Sequence, residues 1–288
     1  MIELVIDQRR KDLGGFEVGR VLPYHSHRMV GPFVFFDHMG PAQFQAGFPR
    51  NVDVRPHPHI GLSTVSYLFE GSMTHRDSGG STEVIRPGEV NWMTAGRGIS
   101  HSERFEDPAA FAGDGLELLQ SWVALPDAFE ETDPAFNNYP VHALPEAQDG
   151  GVWMRMIAGH AFGLRSPVRT HSPLFYVHAR ISDGTRIGLP DRHVERAAYI
   201  VNGGLEFEGS VFRPGQMLVF AAGSDPSLRA VAPSTVMLLG GEPLGLRHIW
   251  WNFVSSRKER IEQAKADWKA GRIALPPNDR NEFIALPE

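Results

Sequence analysis

The sequence contains no cysteine among its 288 residues, so disulfide bonds and thiolate chemistry are excluded. Any bound metal ion would therefore need histidine, carboxylate or carbonyl ligands. Long apolar runs are also missing. No window reaches the length of a membrane span, and the N-terminal MIELVIDQRRKDLGG carries charges where a secretory signal needs an apolar core. We therefore expect a cytoplasmic protein that does not bind membranes.

The sequence also lacks an excess of basic residues. The formal net charge is −6 and the sequence pI is about 6.1. A broad phosphate-binding surface normally requires a positive excess, so we expect no direct binding of nucleic acid. The densest basic stretch, SSRKERIEQAKADWKAGR, also contains acidic residues and is typical of a solvated helix.

Glycine and proline, by contrast, are abundant and divide the chain into short segments. The 30 glycines and 22 prolines separate runs rich in β-branched and aromatic residues, such as LSTVSYLF, LFYVHARI and TVMLLG. Short strands with closely spaced turn signals predict an all-β sandwich or barrel.

One helix is predicted, near the C-terminus, over about residues 255–272. Ser255 and Ser256 are candidate caps, and Pro276 and Pro277 prevent continuation. Four apolar residues supply an approximate stripe along one face, namely Ile261, Ala264, Trp268 and Ile273.

The chain also repeats itself. VIRPGEVNWMTAGRGISHSE, residues 84–103, aligns without gaps on VFRPGQMLVFAAGSDPSLRA, residues 211–230, with seven identical positions. Upstream, YLFEG matches YIVNG in the same order. The repeat predicts two copies of one β-unit, and we place the domains at residues 1–135 and 136–288. Chance recurrence of RPG beside apolar residues is the alternative.

Seven of the 13 histidines fall between His25 and His101, and several lie two residues from another histidine or an acid. Residues i and i+2 of a strand point to the same face, so such a pair can present two metal ligands together. Three pairs stand out: His25 with His27, His57 with His59, and His101 with Glu103.

The repeat selects among these pairs. Leu228 and Ala230 align with His101 and Glu103, while Leu189 and Asp191 align with His57 and His59. Ligands that are lost together from the second copy are expected to act together. We therefore predict one metal site, in the N-terminal domain, with the ligands His57, His59, His101 and Glu103. The alternative is an exposed histidine turn and a separate Ser-Glu cap.

The remaining histidines of the first half are interpreted as structural. His25 and His27 lie in LPYHSHRMVGP, which is typical of a loop. His38 and His75 each have an aspartate and a glycine nearby, where hydrogen bonding in a turn is expected.

An H-x-H followed some forty residues later by GRGISH resembles the two motifs of the cupins. The usual cupin glutamate after the second histidine is absent, since Ser63 and Thr64 stand there, and Glu103 would replace it. That rearrangement resembles the pirin family. So do FFDHMGP, RPHPHIGLSTVSYLFEG, HRDSGG and PGEVNWMTAGRGISHSE.

This resemblance implies two cupin β-barrels, a bicupin, with one divalent ion, Fe²⁺, in the N-terminal barrel only. It also implies either quercetin 2,3-dioxygenase activity or transcriptional co-regulation. We hypothesise a dioxygenase that acts on a planar phenolic such as quercetin with O₂, with Glu103 as both ligand and catalytic general base. Two alternatives stay open: an iron-dependent sensor that binds a protein partner, and a bicupin enzyme with another substrate. Histidine and carboxylate ligands alone suit iron, manganese, nickel, copper and zinc alike.

Overall fold

The computed structural model describes residues 1–12, 17–42, 53–106 and 115–288. These residues form mainly β-strands, as the short β-branched and aromatic runs predicted. Up to residue 140 the strands are β1 (Ile2–Asp7), β2 (Arg9–Asp12), β3 (Glu17–Leu22), β4 (Phe33–Ala42), β5 (Val54–His59), β6 (Leu62–Glu70), β7 (Met73–Asp77), β8 (Thr82–Ile85), β9 (Val90–Thr94), β10 (Ile99–Arg104), β11 (Leu116–Ala124) and β12 (Ala135–Tyr139).

The second half continues the pattern and ends in a helix. Its elements are β13 (Glu146–Asp149), β14 (Val152–Ala161), β15 (Leu164–Arg165), β16 (Leu174–Ile181), β17 (Arg186–Gly188), β18 (Glu195–Asn202), β19 (Leu205–Phe207), β20 (Ser210–Phe212), β21 (Gln216–Phe220), β22 (Ser227–Ala230), β23 (Ser234–Gly241), β24 (His248–Trp250), β25 (Phe253–Ser255) and α1 (Lys258–Lys269). Short 3-10 helices cover Asp127–Phe129 and Val141–Ala143. The all-β class with a C-terminal helix is thus confirmed.

Each repeat builds a large sheet and a small sheet. In the first repeat the large sheet has the order β12-β9-β6-β11-β4-β3-β2 and the small sheet β5-β10-β7-β8. In the second repeat the orders are β1-β21-β18-β23-β16-β14-β13, with β15 beside β14, and β17-β22-β19-β20. The strands β24 and β25 form a separate pair.

The repeated segments form equivalent strands. Within the ungapped block, β9 corresponds to β21 and β10 to β22, and the upstream block places β6 opposite β18. The segment at residues 211–230 is therefore built of strands, as the repeat argument requires.

Contacts between Cα atoms divide the chain into two compact units. The first comprises Met1–Arg10, Gly19–Phe36 and Val141–Pro243, and the second comprises Lys11–Val18, Asp37–Pro140 and Leu244–Glu288. The N-terminal strand β1 thus belongs with the second repeat, where it pairs with β21. Helix α1 belongs with the first repeat. The domain boundary at residue 135 stays a prediction. Each end of the chain, however, belongs to the compact unit formed mainly by the other half.

The observed helix is shorter at each end than the predicted range of about 255–272. Ser255 ends β25, and its hydroxyl donates to the Glu130 carboxylate. Arg257 occupies the N-cap position and has no side-chain cap bond. At the other end, Gly271 adopts a left-handed conformation, with φ of +69°, before the prolines are reached. The predicted stripe is confirmed for Ile261, Ala264 and Trp268, which are buried.

Helix α1 and its neighbours pack on the strand that carries the histidine pair. Ile60, which follows β5, forms one apolar cluster with Phe253, Ile261, Ala264 and Trp268. Ile60 also forms a parallel bridge with Phe253. Among the described residues, no helix is long and apolar enough to cross a bilayer.

Candidate metal centre

The three predicted histidine ligands lie on two adjacent strands. His57 and His59 lie on β5, and His101 lies opposite His57 on the antiparallel neighbour β10. The two-residue spacing on β5 turns both of its imidazoles to one face. All three side chains are buried, with at most 6% of their surface exposed.

These histidines form a compact group. One ligating nitrogen from each lies within 4.8 Å of the other two. The Nε2 atoms of His59 and His101 are only 3.1 Å apart. Among the described residues, no other group of three or more histidine, aspartate and glutamate side chains has donor atoms this close together.

Backbone carbonyls orient two of the rings. His57 Nδ1 lies 2.9 Å from the carbonyl oxygen of Arg55, and His59 Nδ1 lies 3.1 Å from that of Asn252. A carbonyl oxygen only accepts hydrogen bonds, so each Nδ1 must be the donor. In a neutral imidazole this leaves Nε2 with a lone pair, which is the arrangement found in metal-bound histidines.

The charge state of the three histidines also suits a metal. Burial lowers the pKa of His57 to about 4, outweighing its hydrogen bond to the Arg55 carbonyl. Burial, and then the charge of the neighbouring histidines, holds the pKa of His59 and His101 well below the ordinary value. All three imidazoles are therefore neutral near pH 7, and neutral imidazole is the form that binds a metal.

Glu103 lies outside this close group of histidine nitrogens, although it shares β10 with His101. A register irregularity between them sets Glu103 opposite Val54, whereas His101 is opposite His57. The Oε1 atom of Glu103 is buried and, among the described residues, has no hydrogen-bond partner. Burial raises the pKa of this carboxyl group to about 7. A buried oxygen without a partner is costly, so this atom suits a cation or a substrate proton.

His75 and Asp77 also adjoin the histidine group, which we did not predict from the sequence. His75 Nδ1 lies 3.3 Å from His101 Nδ1, and His75 Nε2 lies 3.0 Å from Asp77 Oδ2. The expected hydrogen bond is present, but on β7 rather than in a turn. The H-x-D spacing, which again places two side chains on one face of a strand, was the available signal. Burial acts to raise the pKa of Asp77, but hydrogen bonds from His75 and Ser81 outweigh it and hold that pKa below its usual value.

Three of the four corresponding positions of the second repeat are apolar and buried. Leu189, Leu228 and Ala230, which align with His57, His101 and Glu103, all belong to one hydrophobic cluster. The fourth aligned residue, Asp191, is exposed. At the positions equivalent to His57, His101 and Glu103, the second repeat therefore has side chains that cannot bind a metal ion.

The other histidines of the first half have different surroundings. His25 and His27 lie in a segment without strand or helix, as expected for a loop. His38 is on β4 rather than in a turn, and its Nε2 lies 3.0 Å from Glu117 Oε1.

Comparison with known proteins identifies the family. The pirin family model matches residues 15–123, and the model of the pirin C-terminal cupin domain matches residues 176–274. A pirin-like protein from Caulobacter vibrioides is 61% identical over the full length of both chains. The chain belongs to the pirin family.

Two further relatives connect this pirin with quercetin dioxygenases. A Pseudomonas aeruginosa protein with a provisional quercetin 2,3-dioxygenase name is 38% identical, over 90% of this chain and 80% of that protein. The crystal structure of quercetin 2,3-dioxygenase from Acinetobacter baumannii matches with a TM-score of 0.90 and 32% identity. That match covers 99% of this chain and 95% of the other. The expected fold of two cupin β-barrels is confirmed.

Proposed function

We propose that this pirin is a metal-dependent dioxygenase that cleaves a flavonol such as quercetin with O₂. The main evidence for a metal site is the short distance of 3.1 Å between the Nε2 atoms of His59 and His101. Because the Asn252 carbonyl holds the proton of His59 on Nδ1, its Nε2 presents a lone pair. If His101 Nε2 also presents a lone pair, the two nitrogen atoms repel each other at this distance unless a cation binds both.

The proposed ligands are the three histidines and Glu103. Three neutral imidazoles and one carboxylate leave a divalent ion with a net positive charge, which favours an anionic phenolate as an additional ligand. We propose Fe²⁺ as the ion. When bound, it would supply Lewis acidity toward the phenolate oxygen and the redox chemistry needed for O₂.

Glu103 has the properties of a general base for the substrate hydroxyl. Without a metal, burial raises the pKa of this carboxyl group to about 7, and a carboxylate of raised pKa is a stronger base. Oε1 has no protein partner among the described residues, so it is available to accept a proton from a phenolic hydroxyl group. The quercetin dioxygenase relatives support a phenolic substrate and O₂.

Replacement of Glu103 by glutamine tests this role. Glu103→Gln keeps the side-chain size and a coordinating oxygen but removes the charge and the base. At matched iron content the variant should lose turnover by about 100-fold or more, the usual scale for a lost general base. Raising the pH should partly restore it, because an ionised flavonol needs no base.

The measurement is oxygen consumption with quercetin against pH, for wild type and Glu103→Gln after anaerobic loading with Fe²⁺. Identical curves for the two proteins would remove Glu103 from the chemistry. The absence of quercetin-dependent uptake in both would contradict the dioxygenase proposal itself.

A further inference from the structure

Two buried side chains behind His101 have no role in the centre as described so far. His75 and Asp77 lie on β7, the strand that pairs with β10 on the side away from β5. They are 3% and 1% exposed. Their hydrogen bonds connect a carboxylate to the far side of the His101 ring.

The direction of each hydrogen bond follows from the carboxylate of Asp77, which can only accept. Asp77 Oδ2 accepts from His75 Nε2 at 3.0 Å, so the His75 proton is on Nε2. A neutral His75 then has only a lone pair on Nδ1. That atom must accept, and His101 Nδ1, 3.3 Å away, must donate. The remaining nitrogen of His101, Nε2, is left with the lone pair that faces His59.

We propose that Asp77 and His75 are positioning residues that fix His101 as the Nδ1–H tautomer and thereby direct its Nε2 to the metal. The inference rests on the metal centre proposed above. A carboxylate behind a ligating histidine fixes the ring orientation and raises ligand basicity, and its loss typically weakens metal binding by about 10- to 100-fold. Here the imidazole of His75 lies between the Asp77 carboxylate and the ligand His101, and it transmits this effect through its two hydrogen bonds.

Packing holds the intermediate imidazole in place. The His75 ring stacks on Phe136, with ring centroids 4.1 Å apart and planes within 10°. His75 is also opposite Glu103 in the ladder between β7 and β10. A ring held on one face by an aromatic side chain and on its edge by Asp77 cannot turn freely to exchange its two nitrogens.

Asp77→Asn is the decisive variant because the surroundings fix which way the new amide points. The backbone N–H of Ser81 donates to Asp77 Oδ1 at 3.1 Å, so the amide oxygen of asparagine should remain there. The NH₂ group then replaces Oδ2 and donates to His75 Nε2. This reverses both hydrogen bonds and moves the His101 proton to Nε2, where it blocks metal binding.

Three further variants separate this effect from general destabilisation. Glu117→Gln alters another histidine–carboxylate pair, between the buried His38 and the half-buried Glu117, and should leave metal affinity unchanged. His75→Gln retains one donor and one acceptor and should bind within a few-fold of wild type. His75→Leu has neither and should lose about as much affinity as Asp77→Asn.

The experiment measures Fe²⁺ affinity anaerobically by competition with a chromophoric chelator, with thermal unfolding to confirm that each full-length variant is folded. Asp77→Asn should bind about 10- to 100-fold more weakly than wild type. In metal-free protein, ¹⁵N spectra of the imidazoles should show His101 protonated on Nδ1 in wild type and on Nε2 in Asp77→Asn.

Three results would contradict the positioning role of Asp77 and His75. Wild-type affinity and an unchanged His101 tautomer in folded Asp77→Asn would overturn the positioning role while leaving the metal centre intact. Equal losses in Asp77→Asn and Glu117→Gln would also overturn it, because the loss would then be general. Failure of wild type to bind Fe²⁺ would overturn the metal centre and the positioning role together.

Discussion

At the residue scale, Gly61 lies two residues after His59 and in close contact with the backbone of Val254. It ends the RPHPHIG stretch with a φ of +67°, and a Cβ atom there would collide with the backbone carbonyl oxygen of Val254. Gly61→Ala should therefore add a steric clash to the strain of a left-handed conformation. We expect a loss of at least about 2 kcal/mol in the free energy of unfolding, measured by urea denaturation.

Gly163→Ala is the matched control for that substitution. Its φ is +74°, but a Cβ atom there would meet no heavy atom within 4 Å. Only the conformational strain should remain, on the order of 1 kcal/mol. Equal losses in the two variants would contradict the close approach of Val254 to Gly61.

The sequence identified His57, His59 and His101 because their spacing and their joint absence from the second repeat are both visible along the chain. Asp77 and His75 could not be assigned in the same way. Their partner is His101, which reaches them only through the pairing of β7 with β10. The backbone acceptor of Asn252 has no side-chain signal at all, because any residue offers the same carbonyl group.

At the scale of elements, helix α1 stabilises the strand that carries the histidine pair. Trp268 is buried against Ile60 and Phe253, and its Nε1 donates to the carbonyl oxygen of Ile284 at 3.0 Å. Trp268→Ala should lower the free energy of unfolding by about 3–5 kcal/mol, as a large aromatic cavity does. Fe²⁺ affinity should fall with it, since Ile60 adjoins His59 and Phe253 adjoins Asn252.

Chemical denaturation and Fe²⁺ titration of the Trp268→Ala protein measure both effects. The control is Lys269→Ala on the exposed side of the same helix, which should change stability by no more than about 0.5 kcal/mol. Unchanged metal affinity in folded Trp268→Ala would show that the helix does not support the metal centre.

The equivalence of strands in the two repeats could be predicted from the sequence, because the repeated blocks preserve their spacing. The positions of the two chain ends could not. β1 joins β21, and α1 packs beside β5, through contacts between residues about two hundred positions apart. Amphipathic patterns show that a segment has a buried face, but they do not show which domain covers it.

At the scale of the whole molecule, buried neutral histidines should make folding sensitive to acid. Burial, and then the charges of Arg155 and Arg180, lower the pKa of His178 from 6.5 to about 3. The unfolded chain takes up this proton near pH 6.5 and the folded chain does not. The free energy of unfolding should therefore fall as the pH is lowered from about 6.5 toward 3, by about 1.4 kcal/mol per pH unit for this group.

Urea denaturation between pH 6 and pH 4 tests this dependence. Wild type should show the steeper loss of stability, and His178→Gln should be flatter by about 1.4 kcal/mol per pH unit. His142→Gln removes an exposed histidine and should leave the slope unchanged. Parallel curves for wild type and His178→Gln would contradict the neutral state of the buried ring.

The most direct test of the account is the metal content of the whole chain. After anaerobic reconstitution with Fe²⁺ and removal of excess metal, elemental analysis should find one equivalent per chain. Replacement of a proposed ligand in His101→Ala should greatly reduce that occupancy. His193→Ala alters a buried histidine in the second repeat and should leave occupancy at one. Two equivalents per chain, or none, would contradict a single metal centre in the first repeat.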